Sequence, residues 1–308
     1  MASTEAARGD MGTTREARPL ATLNRDIALF FVITISWTWT FWILVALQEN
    51  ALLSFGVPSG LLEILGAAGP MLTAIVLTAR LEGGRAVGRL LGRLLHFRIR
   101  WYWWIIALVV PFIVHWTPVL IADVAGGLEA GYTNFGAPLP MGLVMLLPWF
   151  VLFSLEEVGW RGFALPRMQE RRSALSAGFL LGVGWGFWHV PLAFIPGQYE
   201  GAVSPWVKIV VMFAFMIAMS LLWTWIFNNT GGSLIMANFF HVLINTSWSW
   251  LDLPPAPEWI YEWITPVLVA VVIIALVTWR WGAESMAIDG KKVTWSTLQA
   301  GRRSPRET

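Results

Sequence analysis

The sequence predicts an all-α fold, a polytopic membrane bundle of about eight transmembrane helices with an amphipathic helix at the membrane interface. Two observations lead to this fold class. The 308-residue chain is 56% hydrophobic and only 13% charged, whereas a soluble domain carries roughly 25% charged residues. Its apolar runs also reach the length of about 20 residues that a helix needs to cross a bilayer. The chain has no cysteine, which excludes disulfides, thiolate metal sites and cysteine nucleophiles.

Apolar runs define the predicted elements in order. The first run is too long for a signal-peptide core and no small-residue cleavage site follows it, so we expect a retained helix. We divide the chain into a disordered cytosolic N-terminus at 1–26, a transmembrane domain at 27–281 with its motif core at 141–250, and a disordered cytosolic tail at 282–308. The predicted spans are 27–47, 61–81, 101–122, 141–160, 174–196, 206–228, 233–250 and 260–281.

The distribution of basic residues predicts the orientation. Positively charged loops stay on the cytosolic side. With the N-terminus inside, only Lys208 of the 21 basic residues falls on the outer side. The inner segments hold Arg8, Arg15, Arg18, Arg25, Arg80, Arg85, Arg89, Arg93, Arg98, Arg100, Arg161, Arg167, Arg171, Arg172, Arg280, Lys291, Lys292, Arg302, Arg303 and Arg306. We therefore expect a multi-pass cell-membrane protein with both termini cytosolic.

Residues 85–100 form a separate basic stretch. Helical spacing places Arg85, Arg89 and Arg93 on one face, with leucines on the others. We expect an amphipathic helix on the inner membrane surface, either a connection held by anionic headgroups or a lipid sensor. His96 lies in this stretch and is expected to be solvated.

Ionisable residues inside the predicted spans are candidates for function, because charge is costly at bilayer depth. On the fourth helix, Glu157 and Arg161 are four residues apart and form a neutralising pair on one face. Glu156 is turned about 100° away, so it is the carboxylate that remains free of this pair and available for catalysis. The alternative is a charged helix end that marks the cytosolic boundary.

Two further helices carry histidine. The fifth has His189 one turn after Trp185, beside a glycine stripe at Gly178, Gly182 and Gly186 that lets a neighbouring helix approach closely. The seventh places His241 and Asn245 on one face, as two neutral donors suited to a developing oxyanion. Polar contacts between helices remain the alternative for all three polar residues. His115, on the third helix, is expected to be a satisfied core histidine.

These segments together resemble the CAAX protease and bacteriocin-processing family of intramembrane peptidases. The family pattern is Glu-Glu-x-x-x-Arg, then aromatic-x-x-x-His, then His-x-x-x-Asn on successive core helices. Trp185 stands where the family usually has Phe. Both are bulky aromatic residues, so the resemblance is kept at this position. The corresponding residues here are Glu156, Glu157 and Arg161, then Trp185 and His189, then His241 and Asn245.

The resemblance implies an intramembrane endopeptidase of the CAAX prenyl endopeptidase type. Glu156 and His189 would activate a water, while His241 and Asn245 would hold the oxyanion. Glu157, Arg161 and Trp185 would brace the site. A peptide hydrolase without an activated Ser, Cys or Thr must supply a base, because water is a poor nucleophile at neutral pH. We expect no cofactor, and as partners a peptide or membrane-protein substrate and the lipid bilayer, without nucleic acid.

Two alternatives stay open. A zinc peptidase would use His189, His241 and a glutamate as ligands, although the sequence has no His-Glu-x-x-His helix. A non-enzymatic immunity or transport protein would use the same groups as polar contacts or as a proton relay. Nothing in the sequence identifies a prenyl pocket.

Overall fold

The computed structural model describes residues 20–54, 56–124, 148, 150–152, 154–197, 204–247 and 264–300. In these residues all regular structure is helical, which confirms the predicted all-α fold. We number the helices in chain order: α1 Leu20–Glu49, α2 Ser59–Ala67, α3 Gly69–Glu82, α4 Gly84–Gly92, α5 Trp101–Val124, α6 154–169, α7 Ala174–His189, α8 Pro205–Asn229, α9 Leu234–Ser247, α10 Thr265–Trp281 and α11 Trp295–Ala300.

The predicted spans are largely recovered in the described part of the chain. Five helical stretches there are long and apolar enough to cross a membrane, and α9 and α10 are shorter apolar helices. The predicted fourth span, 141–160, lies partly outside the described residues, so the count of eight stays a prediction. The five long stretches are Thr22–Glu49, Ser59–Glu82, Trp101–Ile121, Ala174–Phe194 and Pro205–Asn229.

The second span is broken between α2 and α3 by Pro70. Proline has no amide hydrogen and its ring clashes with the carbonyl four residues earlier, which is that of Gly66. The hydroxyl of Thr38 on α1 donates to this carbonyl at 2.7 Å. Trp188 Nε1 on α7 donates in turn to Thr38 Oγ1 at 2.6 Å. The break in the span therefore ties α1 and α2 to the end of α7, one residue before His189.

The glycine stripe on α7 packs against α8 as predicted. A Cβ atom built on Gly182 would lie 2.6 Å from Ile217 Cα, and one on Gly178 would lie 2.6 Å from Thr224 Oγ1. Only glycine permits this separation of the two helices. The close approach brings Trp185 edge-on to Trp223 of α8, with ring centroids 5.5 Å apart.

Helix α6 differs from its prediction at the C-terminal end. The predicted span stops at Trp160, but the helix runs through a π-helical turn at Trp160–Ala164 and continues at Leu165–Gln169. All residues from 156 to 169 are buried. Arg161 and Arg167, predicted to lie in an inner loop, are therefore inside the fold. Their charges are compensated, because Arg161 pairs with Glu157 and Arg167 pairs with Glu82.

The longer α6 also changes how deep Glu156 lies along its helix compared with His189 and His241. With a helix end at Trp160, Glu156 would lie shallower than the two site histidines. The observed helix continues 13 residues beyond Glu156, to Gln169, which corresponds to about 20 Å at 1.5 Å per residue. The alternative that Glu156, Glu157 and Arg161 mark the end of the helix is therefore wrong, because the helix continues past them and Glu157 and Arg161 are buried as a pair.

The predicted amphipathic helix is correct only in part. It comprises α4 and a short 3₁₀ turn, Arg93–Leu95, and ends before residue 100. Arg93 does not lie on the predicted surface face. It is buried and donates to the carbonyls of Gly162 and Gly232. His96 is half-buried rather than solvated, and its carbonyl accepts a hydrogen bond from Ser233.

The segments predicted to be disordered are partly ordered. Helix α1 begins at Leu20, inside the 1–26 segment. The prediction for the tail is wrong for residues 283–300, which pack onto the ends of α6 and α8. Asn228 Nδ2 donates to the carbonyl of Ser285, and Gln169 Nε2 donates to that of Val293. Both side chains are buried, and buried amides require hydrogen-bond partners, which the tail supplies.

Candidate active site

The paired glutamates of α6 have different surroundings. Glu157 is fully buried, and its Oε1 atom accepts hydrogen bonds from Arg161 Nη1 at 3.0 Å and from His241 Nδ1 at 2.8 Å. The pairing with Arg161 confirms the expectation from their spacing. The bond to His241 was not predicted, since His241 lies on α9, 84 residues further along the chain, and no local pattern reports such a contact.

This contact fixes which nitrogen of His241 carries a proton. Glu157 Oε1 already accepts from Arg161, so it acts as an acceptor toward His241 Nδ1 as well. A neutral imidazole has a single N–H, and this one is then at Nδ1. The prediction that His241 offers a neutral donor to an oxyanion is therefore revised. To donate from Nε2 as well, His241 must be an imidazolium, in which both nitrogens carry hydrogen.

Arg161 lies between two tryptophan rings. Its guanidinium carbon is 4.7 Å from the ring centroid of Trp185 and 4.7 Å from that of Trp223. Cation–π contacts with desolvated rings are worth about 2 kcal/mol, which helps to hold this fully buried charge. Within the described residues, its Nε and Nη2 atoms have no hydrogen-bond partner. Trp223 was not predicted to belong to the site, because its role depends on the packing of α7 against α8.

Glu156 is held by a neutral donor. The indole Nε1 of Trp185 donates to Glu156 Oε2 at 2.9 Å. The Glu156 side chain is 8% exposed and lies within electrostatic reach of His241, Glu157 and Arg161. The two carboxylates, about 100° apart around the helix, therefore face different partners, as the sequence predicted.

His189 is fixed by a backbone contact. Its Nδ1 lies 2.9 Å from the carbonyl oxygen of Trp185, one turn earlier on α7. A carbonyl only accepts, so Nδ1 is the donor and the neutral ring leaves its lone pair on Nε2. The ring packs edge-on against Trp188 at 4.5 Å and lies 6.0 Å from Trp42. His189 also interacts electrostatically with His241.

The structure thus gathers Glu156, His189 and His241 around Trp185. Asn245 is placed on the same face of α9 as His241. Asn245 lies one turn beyond His241 on α9 and is half-buried. His115 belongs to a separate contact, since its Nδ1 lies 2.9 Å from Ser247 Oγ and 3.1 Å from the carbonyl oxygen of Pro111. It is a satisfied core histidine, as expected.

The histidine and carboxylate side chains of the site do not form a metal-binding cluster in the described part of the chain. Among the described residues, no group of three or more His, Asp or Glu side chains is arranged to hold one. Nδ1 of His189 and Nδ1 of His241 both donate to oxygen atoms. Any ligation would therefore use the Nε2 atoms.

Known proteins resemble the part of the chain that builds this site. Residues 137–247, which contain all three motifs, match the family described as type II CAAX prenyl endopeptidase Rce1-like. The chain is also 26% identical over 227 residues to CAAX prenyl protease 2 of Methanococcus maripaludis, an alignment that covers 70% of this chain and 82% of that protein.

The apolar helical fold, the buried ionisable site and these similarities define the class of protein as a membrane peptidase. Within that class, the matching family model and the relative from Methanococcus maripaludis are both of the CAAX prenyl endopeptidase type, to which this chain is similar. The resemblance inferred from the three motifs is confirmed.

Proposed function

We propose that the protein is an intramembrane endopeptidase in which Glu156 and His189 activate a water molecule and His241 and Asn245 bind the oxyanion. We further propose, from the name of the archaeal relative and the description of the matching family, that its substrate is a prenylated polypeptide with a CAAX-type C-terminus. The observation that supports the mechanism is that the paired carboxylates, Glu156 and Glu157, have different hydrogen-bond partners.

Glu157 is committed to two partners. It accepts from Arg161 and from His241 on the same oxygen, so proton uptake there would weaken the ion pair. Glu156 instead accepts from the neutral indole of Trp185. Of the two carboxylates, Glu156 is therefore the one available as a proton acceptor, which is the requirement for a general base.

His189 complements Glu156 as an acceptor. With its Nδ1 proton directed to the Trp185 carbonyl, Nε2 accepts a hydrogen bond from the attacking water and orients the oxygen lone pair toward the substrate. Positioning of a nucleophile lowers the barrier because its translational and rotational entropy is lost beforehand.

In the proposed reaction, the water oxygen bonds to the scissile carbonyl carbon as Glu156 takes the water proton. The carbonyl oxygen becomes an oxyanion and accepts hydrogen bonds from Asn245 Nδ2 and from Nε2–H of the His241 imidazolium. As the tetrahedral intermediate collapses, the C–N bond breaks and the proton held by Glu156 passes to the leaving amine. The second water proton remains on the new carboxylic acid, which ionises after release. The other product is a new amine, and the enzyme returns to its starting state.

Glu157 and Arg161 support this chemistry indirectly. Oε1 of Glu157 orients the His241 ring through Nδ1, while Arg161, held between Trp185 and Trp223, fixes the Glu157 carboxylate. Removal of one partner from a buried ion pair leaves an uncompensated charge. Substitutions at these two residues should therefore lower stability along with activity.

The experiment uses purified protein in detergent and a peptide that ends in farnesyl-cysteine followed by three residues. Mass spectrometry would detect release of the C-terminal tripeptide by the wild type and none by Glu156→Gln. Glu170→Gln is a matched control, because Glu170 directly follows α6 and its carboxylate accepts a hydrogen bond from the Ser296 amide rather than from a residue of the site. Release by Glu156→Gln at the wild-type rate would reject the mechanism. Cleavage of an unprenylated peptide at an equal rate would reject the substrate class alone.

A further inference from the structure

Trp185 contacts every ionisable residue in the candidate site except Glu157. Its indole N–H donates to Glu156 Oε2 at 2.9 Å, and its backbone oxygen accepts from His189 Nδ1 at 2.9 Å. Its ring lies 4.7 Å from the Arg161 guanidinium carbon and 5.8 Å, edge-on, from the His241 ring. The side chain is only 3% exposed, so its packing leaves little freedom for the indole to turn away.

We propose that Trp185 is a positioning residue whose indole N–H sets the orientation of the Glu156 carboxylate for proton transfer. The inference rests on the proposed role of Glu156 as the base. The terminal torsion of a glutamate has a broad energy profile, so the carboxylate plane is poorly fixed by the side chain alone. A hydrogen bond from a buried, rigid donor fixes Oε2 and with it the direction of the other oxygen, which meets the water.

This role depends on the indole nitrogen rather than on aromatic bulk. A phenylalanine at position 185 would fill most of the same space and keep a ring face toward Arg161, but it has no donor for Glu156. Trp and Phe are therefore not interchangeable at position 185, because only Trp has an N–H group that can donate to Glu156. In this chain the tryptophan donates a hydrogen bond to the base.

Trp223 provides the matched control. It is fully buried and its ring also lies 4.7 Å from the Arg161 guanidinium carbon. Its indole Nε1, however, donates to the backbone oxygen of Ala237 at 3.1 Å. Trp223→Phe thus removes an indole N–H and changes one ring beside Arg161, as Trp185→Phe does, without touching a hydrogen bond to Glu156.

The test compares kcat and KM for the farnesylated peptide in both phenylalanine variants. A hydrogen bond to a charged group contributes enough that its loss should lower kcat about 10- to 100-fold in Trp185→Phe, with KM nearly unchanged. Trp223→Phe should lose much less. Replacement of Trp185 by benzothienyl-alanine keeps the two-ring shape and the face toward Arg161 but removes the donor, so it should match Trp185→Phe even if the latter packs poorly.

The outcomes distinguish failure of the positioning role of Trp185 from failure of the proposed function of Glu156. Equal kcat values for Trp185→Phe and Trp223→Phe, or wild-type kcat in the benzothienyl variant, would overturn the positioning role while Glu156→Gln stays inactive. An active Glu156→Gln variant would instead overturn the proposed function, and the role of Trp185 with it. A loss expressed in KM rather than kcat would assign Trp185 to substrate binding and also contradict the proposal.

Discussion

Glu157 and His241 are 84 residues apart in the chain, yet Oε1 of Glu157 lies 2.8 Å from Nδ1 of His241. This hydrogen bond joins α6 to α9 and makes the second carboxylate of the pair a structural partner. Because the same oxygen accepts from Arg161, the three side chains form one buried unit. Their energetics should consequently be coupled.

Glu157→Gln should lower both stability and activity. The substitution leaves Arg161 buried without its countercharge, and loss of one partner of a buried ion pair costs about 3–5 kcal/mol. Thermal unfolding in detergent, followed by tryptophan fluorescence, would measure the change. Glu156→Gln is the comparison, since it keeps an acceptor for Trp185 and leaves the ion pair intact. Identical melting curves for the two variants would mean that the roles of the glutamates are misassigned.

The sequence predicted some parts of this site and could not have predicted others. The Glu157–Arg161 pair follows from their spacing of four, and the close approach of α7 to α8 follows from the glycine stripe. The Glu157–His241 bond and the Trp223 contact depend on how separate helices pack, which a local pattern does not report. The extent of α6 could not be predicted, because the buried Arg161 and Arg167 interrupt the apolar run by which a span is recognised.

The glycine stripe gives a second prediction. A Cβ atom at Gly182 would lie 2.6 Å from Ile217 Cα, so Gly182→Ala must push α7 and α8 apart. Overpacking of this kind costs about 1–3 kcal/mol. Gly88→Ala on α4 is the control, because nothing lies within 4 Å of the added atom. We expect a lower melting temperature for Gly182→Ala only, and an equal effect at both positions would contradict the packing argument.

Orientation in the membrane can be tested with single cysteines, since the natural chain has none. The distribution of basic residues predicts that position 130 faces outward and that position 171, in the segment between α6 and α7, faces the cytosol. A membrane-impermeant maleimide applied to intact cells should label Ala130→Cys and not Arg171→Cys. Labelling of both variants after cell lysis shows that each cysteine is accessible, and the opposite pattern in intact cells would invert the topology.

Metal dependence distinguishes the water-activating mechanism from a zinc peptidase. In the proposed mechanism Glu156, His189, His241 and Asn245 each have a role without a metal ion. We expect purified protein to contain less than one equivalent of zinc and to retain activity in a chelator. Stoichiometric zinc by elemental analysis, together with activity lost on stripping and restored by zinc, would replace the mechanism and leave the peptidase class unchanged.

The most direct test of the account is the cleavage rate of Glu156→Gln measured beside its melting temperature. A general base contributes about 10²- to 10⁴-fold to a rate, so single-turnover cleavage of the farnesylated peptide should fall by at least two orders of magnitude. The melting temperature should remain that of the wild type, because glutamine still accepts the hydrogen bond from Trp185. A folded Glu156→Gln protein that cleaves the peptide at the wild-type rate would contradict the assignment of Glu156 as the catalytic base.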